Sequence, residues 1–232
     1  MLKPLAKLTR LLTVLLKINT GICALAVLAG VYGYVEYRRL PPGVNPDETL
    51  LPSDISNAGI GLVQVLFSIF LAVTFLRWIY RANRNLHQLG GVPMAFSPGW
   101  SVGWYFVPVA NLYKPYQAMK EIWIVAHRGE LGSGNILGWW WFLWIVSTFV
   151  DRIAMRLALH AQGVVDYTNS ALAYVVSDGI DVVLNVVALM LVRSIADAYS
   201  KNYVETDAPL GGGPAREAAD ALPSRSGAGP SC

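Results

Sequence analysis

Asp178, Asp181 and Asn185 stand at i, i+3 and i+7 within residues 171–192, a stretch that holds no other charged residue. Helical periodicity puts all three on one face. A carboxylate at the centre of a bilayer costs about 2.5 to 3.5 kcal/mol on insertion scales, so something must compensate this pair. Antiparallel packing against the preceding hydrophobic stretch, with a turn near residues 162–170, brings Arg152 level with Asp178 and leaves Arg156 nearer the outer surface. An Arg152–Asp178 ion pair is therefore the structural explanation. The functional alternatives stay open: an ion, proton or solute site with Asp181 on its path, or a polar lining for a partner interface.

Enzyme chemistry is not expected. Intramembrane aspartyl proteolysis needs carboxylates on two facing helices, and these two share one. His87, His127 and His160 are scattered, Cys23 and Cys232 are isolated, and His-Glu-x-x-His, Gly-x-Ser-x-Gly and phosphate-loop patterns are absent from the sequence. No catalytic residue, metal site or cofactor is expected.

The elements that position the aspartates follow from composition. With 54% hydrophobic and only 14% charged residues, the chain has more apolar surface than a soluble core of this size can hide, so lipid must cover part of it. Residues 18–35, 58–76 and 131–150 are uncharged and long enough to cross roughly 30 Å of hydrocarbon as helices. Spans are predicted at about 18–37, 57–80, 131–157 and 171–195. Lys3, Lys7, Arg10 and Lys17 before the first run resemble a secretory signal, but the run is long for one and Tyr32-Gly33-Tyr34 makes a poor cleavage site. The first span is expected to stay uncleaved. Beyond Tyr203 the chain is mostly Gly, Ala, Pro, Ser and charge, which predicts a disordered tail over 204–232 after a membrane domain of 1–203.

Residues 97–113 are apolar yet interrupted. Ser97 can cap a helix with Pro98 at its first position, whereas Pro108 removes an amide donor and disfavours helix at Val107. About ten residues, roughly 15 Å of helix, cannot cross the membrane. The segment is either re-entrant or interfacial. A further helix over 112–128 is expected, with Pro115 in its first turn and Met119, Ile122, Trp123 and Ala126 on one face. It lies in the membrane surface or packs on protein. The four-span arrangement leaves only Arg38, Arg39, Arg152 and Arg156 of 18 basic residues outside, while a fifth span through 98–108 would split the 18 evenly. The positive-inside bias selects four spans, both termini cytoplasmic, and an amphipathic helix on the cytoplasmic side. Basic residues so dispersed form no nucleic-acid surface.

Phe96-Ser97-Pro98-Gly99-Trp100, Gly103-Trp104-Tyr105-Phe106, Pro108, Asn111-Leu112, Pro115, Met119, Glu121 and Trp123 resemble the hallmark of a bacterial membrane family, domain of unknown function 4328. Arg77-Trp78, Arg81, Asn85 and Trp139 to Trp141 extend the similarity, which covers roughly residues 60–195. The resemblance implies a bacterial inner-membrane protein and carries no catalytic residues. Pro98, Gly99, Trp100, Gly103, Trp104, Pro108, Asn111 and Pro115 are read first as a packing device and second as a gate or ligand cradle.

The fold class is thus all-α integral membrane, with the lipid bilayer as a partner and a membrane-protein partner or second copy as others. A scaffold, sensor or partner- or lipid-binding subunit leads. A small transporter or channel using Asp178 and Asp181 is the alternative. Reporter fusions after Arg39, His127, Gln162 and Tyr203 should report external, cytoplasmic, external and cytoplasmic locations in that order; an external signal at His127 would overturn the four-span arrangement.

Overall fold

Leucines at positions 5, 12, 15 and 16 continue the apolar face of the first hydrophobic run backwards, while Lys7, Arg10 and Lys17 sit on the exposed side. Helix α1 therefore begins at Leu5 and runs to Arg38, well before the uncharged stretch that marked the predicted span. The computed structural model describes residues 5–41, 44, 46, 48, 51–89, 93–129 and 135–204. The start of the third predicted span (131–134), parts of the first loop, the glycine pair at 90–91 and the predicted tail at 205–232, with Cys232, lie outside the described residues.

Helix α2 spans Pro52–Leu89. After it come the short α3 (Trp100–Gly103), two 3₁₀ turns (Trp104–Phe106 and Ala110–Leu112) and α4 (Lys114–Ala126). Helices α5 (Asn135–Leu159) and α6 (Val164–Tyr199) follow, and a π-helical turn ends at Val204. Among the described residues there is no strand. Helices α1, α2 and α6 are long and apolar enough to cross a membrane. At 25 residues, roughly 37 Å, α5 has the length too, but its tryptophans and Asp151, Arg152 and Arg156 lower its hydropathy. Helix α6 starts seven residues earlier than its predicted span. Gly163 at φ 84° makes the turn, and Tyr167 stacks on Tyr37 of α1 with centroids 5.4 Å apart.

Neighbouring long helices are antiparallel and follow the spatial order α2, α1, α6, α5. Facing pairs fix the register: Thr9 with Trp78, Asn19 with Asn185, and Ser147 with Asp181. At Gly30 the α1 and α6 backbones come close; a Cβ there would meet Val175 Cγ2 at 2.8 Å. Ala26 and Gly30 thus serve helix association as their spacing implied. Gly138, of the other small-residue pair, faces open space.

The broken segment behaves as its prolines dictate. Trp100 N donates to Ser97 Oγ (3.4 Å), and Val107, just before Pro108, is extended at φ −92°, ψ 116°. Helix α3 and its 3₁₀ turn together cover seven residues, far too few to cross a bilayer. Val109 takes φ 65°, a conformation β-branched residues rarely adopt, as the chain reverses. Helix α4 starts at Lys114 rather than at 112, because Asn111 and Leu112 are used in the second 3₁₀ turn and Tyr113 is non-helical at φ −141°.

Its apolar face settles against protein: Met119, Ile122, Trp123 and Ala126 are buried in the main core with Trp78, Leu86 and Ile195. Polar contacts dock its edges. Glu121 accepts from the backbone N–H groups of Ala95 and Phe96, and Asn202 and Tyr203 donate to the carbonyls of Ala126 and Val125 at 2.9 and 2.7 Å. The four long helices are thereby closed at one end by α4.

Replacing Gly30 by Leu should lower stability by about 1–3 kcal/mol through overpacking at the α1–α6 contact. Gly21→Ala, where a Cβ meets nothing within 4 Å, should leave the melting temperature in detergent unchanged; equal effects of the two substitutions would contradict the close approach.

Candidate intramembrane acidic site

Each of the four long helices brings a polar stripe to the same level, where Asn19, Cys23, Ser147, Ser177 and Asn185 are buried and Ser68 and Asp151 are exposed. Helix α1 supplies Asn19 and Cys23, α2 Gln64 and Ser68, α5 Ser147 and Asp151, and α6 Ser177, Asp178, Asp181 and Asn185. The level lies near the middle of the uncharged run of α2, at Gln64 and Ser68, and near the start of that of α1, where Asn19 follows Lys17 by two residues.

The hydrogen bonds tie the stripes together. Gln64 Nε2 donates to Asp178 Oδ1 at 2.7 Å, which links α2 to α6. Ser147 Oγ donates to Asp181 Oδ1 at 2.5 Å, with Asp151 Oδ2 at 3.5 Å, and Ser177 Oγ donates to the other Asp151 oxygen. Asn185 Nδ2 reaches the Asp181 carbonyl at 2.8 Å and Cys23 Sγ at 3.8 Å. Asn19 Nδ2 donates to Asn185 Oδ1 at 3.1 Å. Its own Oδ1 has no partner although the residue is only 7% exposed. A buried amide oxygen left open in this way is a vacant acceptor, the group a cation or a proton donor would satisfy.

Two cavities meet here. The larger, about 770 Å³, runs from the carboxylates past Gln64 and Tyr174 to Tyr37, Asp54 and Tyr167 at the far end of α1. There the Tyr37 hydroxyl donates to Asp54. The second, about 420 Å³, leads the other way, between Leu71 and Phe75 of α2 and Trp140 and Trp144 of α5, to Tyr105. Asn19, Ser68, Asp151 and Asp181 line both, and among the described residues no Lys, Arg or His lines either. Tyr105 is a second orphan: its buried hydroxyl has no partner, and burial pushes its pKa above the ordinary phenol value.

The expected Arg152–Asp178 ion pair does not form. Arg152 is exposed, and Asp178 is held by Gln64 instead. The hairpin depth was close, but the facing positions of α5 are 147, 151 and 154, and the next residue along a helix points about 100° away. Asp151, not Arg152, therefore looks at α6. Sequence reasoning thus found Asp178, Asp181 and Asn185 and missed Asp151, Gln64, Asn19 and Cys23. Ser147 and Asp151 at i, i+4 were the available signal, obscured because the neighbouring Arg152 offered a counter-charge for Asp178.

Although no metal site was expected, Cys23, Asp178 and Asp181 each offer one ligand atom, all within 4.8 Å of one another. Ligands at that spacing reach a common ion at bond lengths of about 2.0 to 2.4 Å. The other expected group, Pro98, Gly99, Trp100, Gly103, Trp104, Pro108, Asn111 and Pro115, lies at the α4-closed end. Tyr105 and Phe106, from the turn between Trp104 and Pro108, line the smaller cavity.

Arg152→Gln should change stability by less than about 0.5 kcal/mol, as for an exposed side chain with no buried partner. Gln64→Leu, which strands the Asp178 carboxylate, should cost about 1–3 kcal/mol. Thermal unfolding in detergent checks both, and a larger loss for Arg152→Gln would restore the ion pair.

A family model described as a domain of unknown function (DUF4328) matches residues 44–197, well over half of the chain. The chain belongs to that family. No curated protein and no solved structure matches it.

Proposed function

We propose that this member of the DUF4328 family is a small cation transporter or channel whose binding site is the Asp151, Asp178 and Asp181 cluster. One observation carries the reading: Asp151 and Asp181 sit where two cavities meet and Asp178 lines the larger one, with no basic side chain among the described residues lining either cavity. Carboxylates at membrane depth require a counter-charge, and where the protein supplies none the bound species must. The open Asn19 oxygen supports the same conclusion, since it adds a neutral oxygen ligand beside the acids. A scaffold role was favoured while Arg152 explained the aspartates structurally. Without that ion pair the order of the two readings reverses.

The setting we assign is a bacterial inner membrane with α1, α2, α5 and α6 as four spans and both termini cytoplasmic. The charge asymmetry supports the orientation, and the length and register of α5 support the fourth span. In that orientation the larger cavity opens outward and the smaller one leads to the cytoplasmic side. Cation passage then runs from the Tyr37–Asp54 mouth to Asp178 and Asp181, is shared with Asp151 through Ser147, and leaves past Trp144 and Tyr105.

Full-length protein in vesicles, assayed with an internal pH dye and separately with Na⁺ and Mn²⁺ tracers under a potassium-diffusion potential, should conduct at least one of these cations. Asp181→Asn should abolish that flux while leaving the melting temperature within a few degrees of wild type. Absence of flux for every cation, or flux indifferent to Asp181→Asn, would remove the transport reading; copurification of a stoichiometric membrane partner with no flux would favour the scaffold.

A further inference from the structure

On the last three turns of α2, Arg77, Arg81 and Arg84 recur at i, i+4 and i+7, on one side of the helix. They border a separate cavity of about 450 Å³ whose other walls are Val73 and Leu76 of α2 and Val102 and Phe106 of the broken segment. Among the described residues no acidic one lines it. Arg77 and Arg84 are exposed, Arg81 is half-buried, and Tyr80 adds a further polar group to the rim. The cavity is thus divided along the helix axis, apolar toward the bilayer centre and cationic at its outer end.

The surface beside it has the same two-part character. Phe106 is 72% exposed, Val109 74% and Trp100 55%, and Leu112 and Tyr113 are exposed as well. Such a cluster of aromatic and aliphatic side chains is at home at the boundary between headgroups and acyl chains. It fixes the arginines at headgroup level.

We propose that this cavity is a binding site for one anionic phospholipid, the phosphate held by Arg77 and Arg84 beside the half-buried Arg81 and an acyl chain lying along Val73, Leu76 and Phe106. Charge complementarity selects an anion, because guanidinium groups present paired N–H donors that match phosphate oxygens. The apolar half selects a lipid over a free anion, because inorganic phosphate would leave Val73, Val102 and Phe106 uncovered. Basic pockets beside a membrane helix at headgroup depth recognise acidic lipids by this combination. The lipid would also pin the broken segment to α2, at the entrance of the smaller acidic cavity, which Leu76 and Phe106 line too. The site is independent of the cation reading, since it uses none of the aspartates.

The test is native mass spectrometry of the full-length chain released from bilayers containing phosphatidylglycerol and phosphatidylcholine in equal amounts. Wild type should retain phosphatidylglycerol selectively. The double variant Arg77→Gln, Arg84→Gln should lose roughly 30-fold in that preference, at about a fivefold change per charge removed near the membrane surface. Both side chains are exposed, so an unaltered melting temperature should accompany the loss. Arg77→Lys with Arg84→Lys should recover part of the preference. Inorganic phosphate in large excess should not displace the lipid. Equal retention of the two lipids by wild type, or displacement by phosphate alone, would overturn the assignment.

Discussion

Carboxylates packed between long apolar helices are tolerated only if neighbouring groups or a bound cation compensate them, and that requirement organises this molecule. Among the described residues no basic side chain lines the cavities at Asp151, Asp178 and Asp181; Arg152, at the same depth, is exposed. Instead Gln64, Ser147 and Ser177 donate to them, one from α2 and two from the α5–α6 pair. Those donors work only in one register of α5 on α6 and one placement of α2. The acidic level is therefore the reference plane from which the positions of all four long helices can be derived. Burial alone would specify this less tightly, because along much of α2 the outward residues Leu62, Val63, Leu66 and Phe70 are exposed rather than packed on protein.

Closure at one end comes from a different kind of interaction. Helix α4 is amphipathic and fits under the bundle, yet its position is fixed by polar contacts at its margins: the Glu121 carboxylate on two backbone amides, His127 between the Trp123 carbonyl and Ser194, and the π turn reaching back to the last α4 carbonyls. Free carbonyls at a helix end would otherwise need water or another donor. Lys114, at the start of α4, lies over the rings of Phe96, Trp104 and Tyr113, so the helix is also held to the broken segment through cation–π contacts. The acidic cavities are floored by a structure that joins the chain before α4 to the chain after α6.

Much of the architecture was legible because its determinants are local. Proline at 108 broke the helix where its missing N–H and its steric exclusion of helical backbone at Val107 require, and the i, i+3, i+4 and i+7 positions of α4 named its buried face. Helix lengths were underestimated, since charged residues end an apolar run without ending a helix; Lys7, Arg10 and Lys17 simply line the exposed side of α1. The acidic site was half legible. Asp178 and Asp181 stand out in an uncharged segment, whereas Asp151 sits beside Arg152 and its importance depends on rotation about the α5 axis, a quantity that sequence spacing does not contain. Polar partners such as Gln64 and Asn19 become informative only when long-range packing brings them to the same depth.

The neighbouring of α1 and α6 has a consequence for synthesis. Asn19 is satisfied by Asn185, 166 residues later in the chain. At about 5 to 20 residues per second, roughly 8 to 33 s separate the emergence of the two residues from the ribosome. Through that interval the Asn19 amide of α1 has no native partner, and Gln64 of α2 still lacks the carboxylate of Asp178. The first hairpin is thus a waiting intermediate, and the last long helix to be made is the one that completes every polar contact at mid-depth.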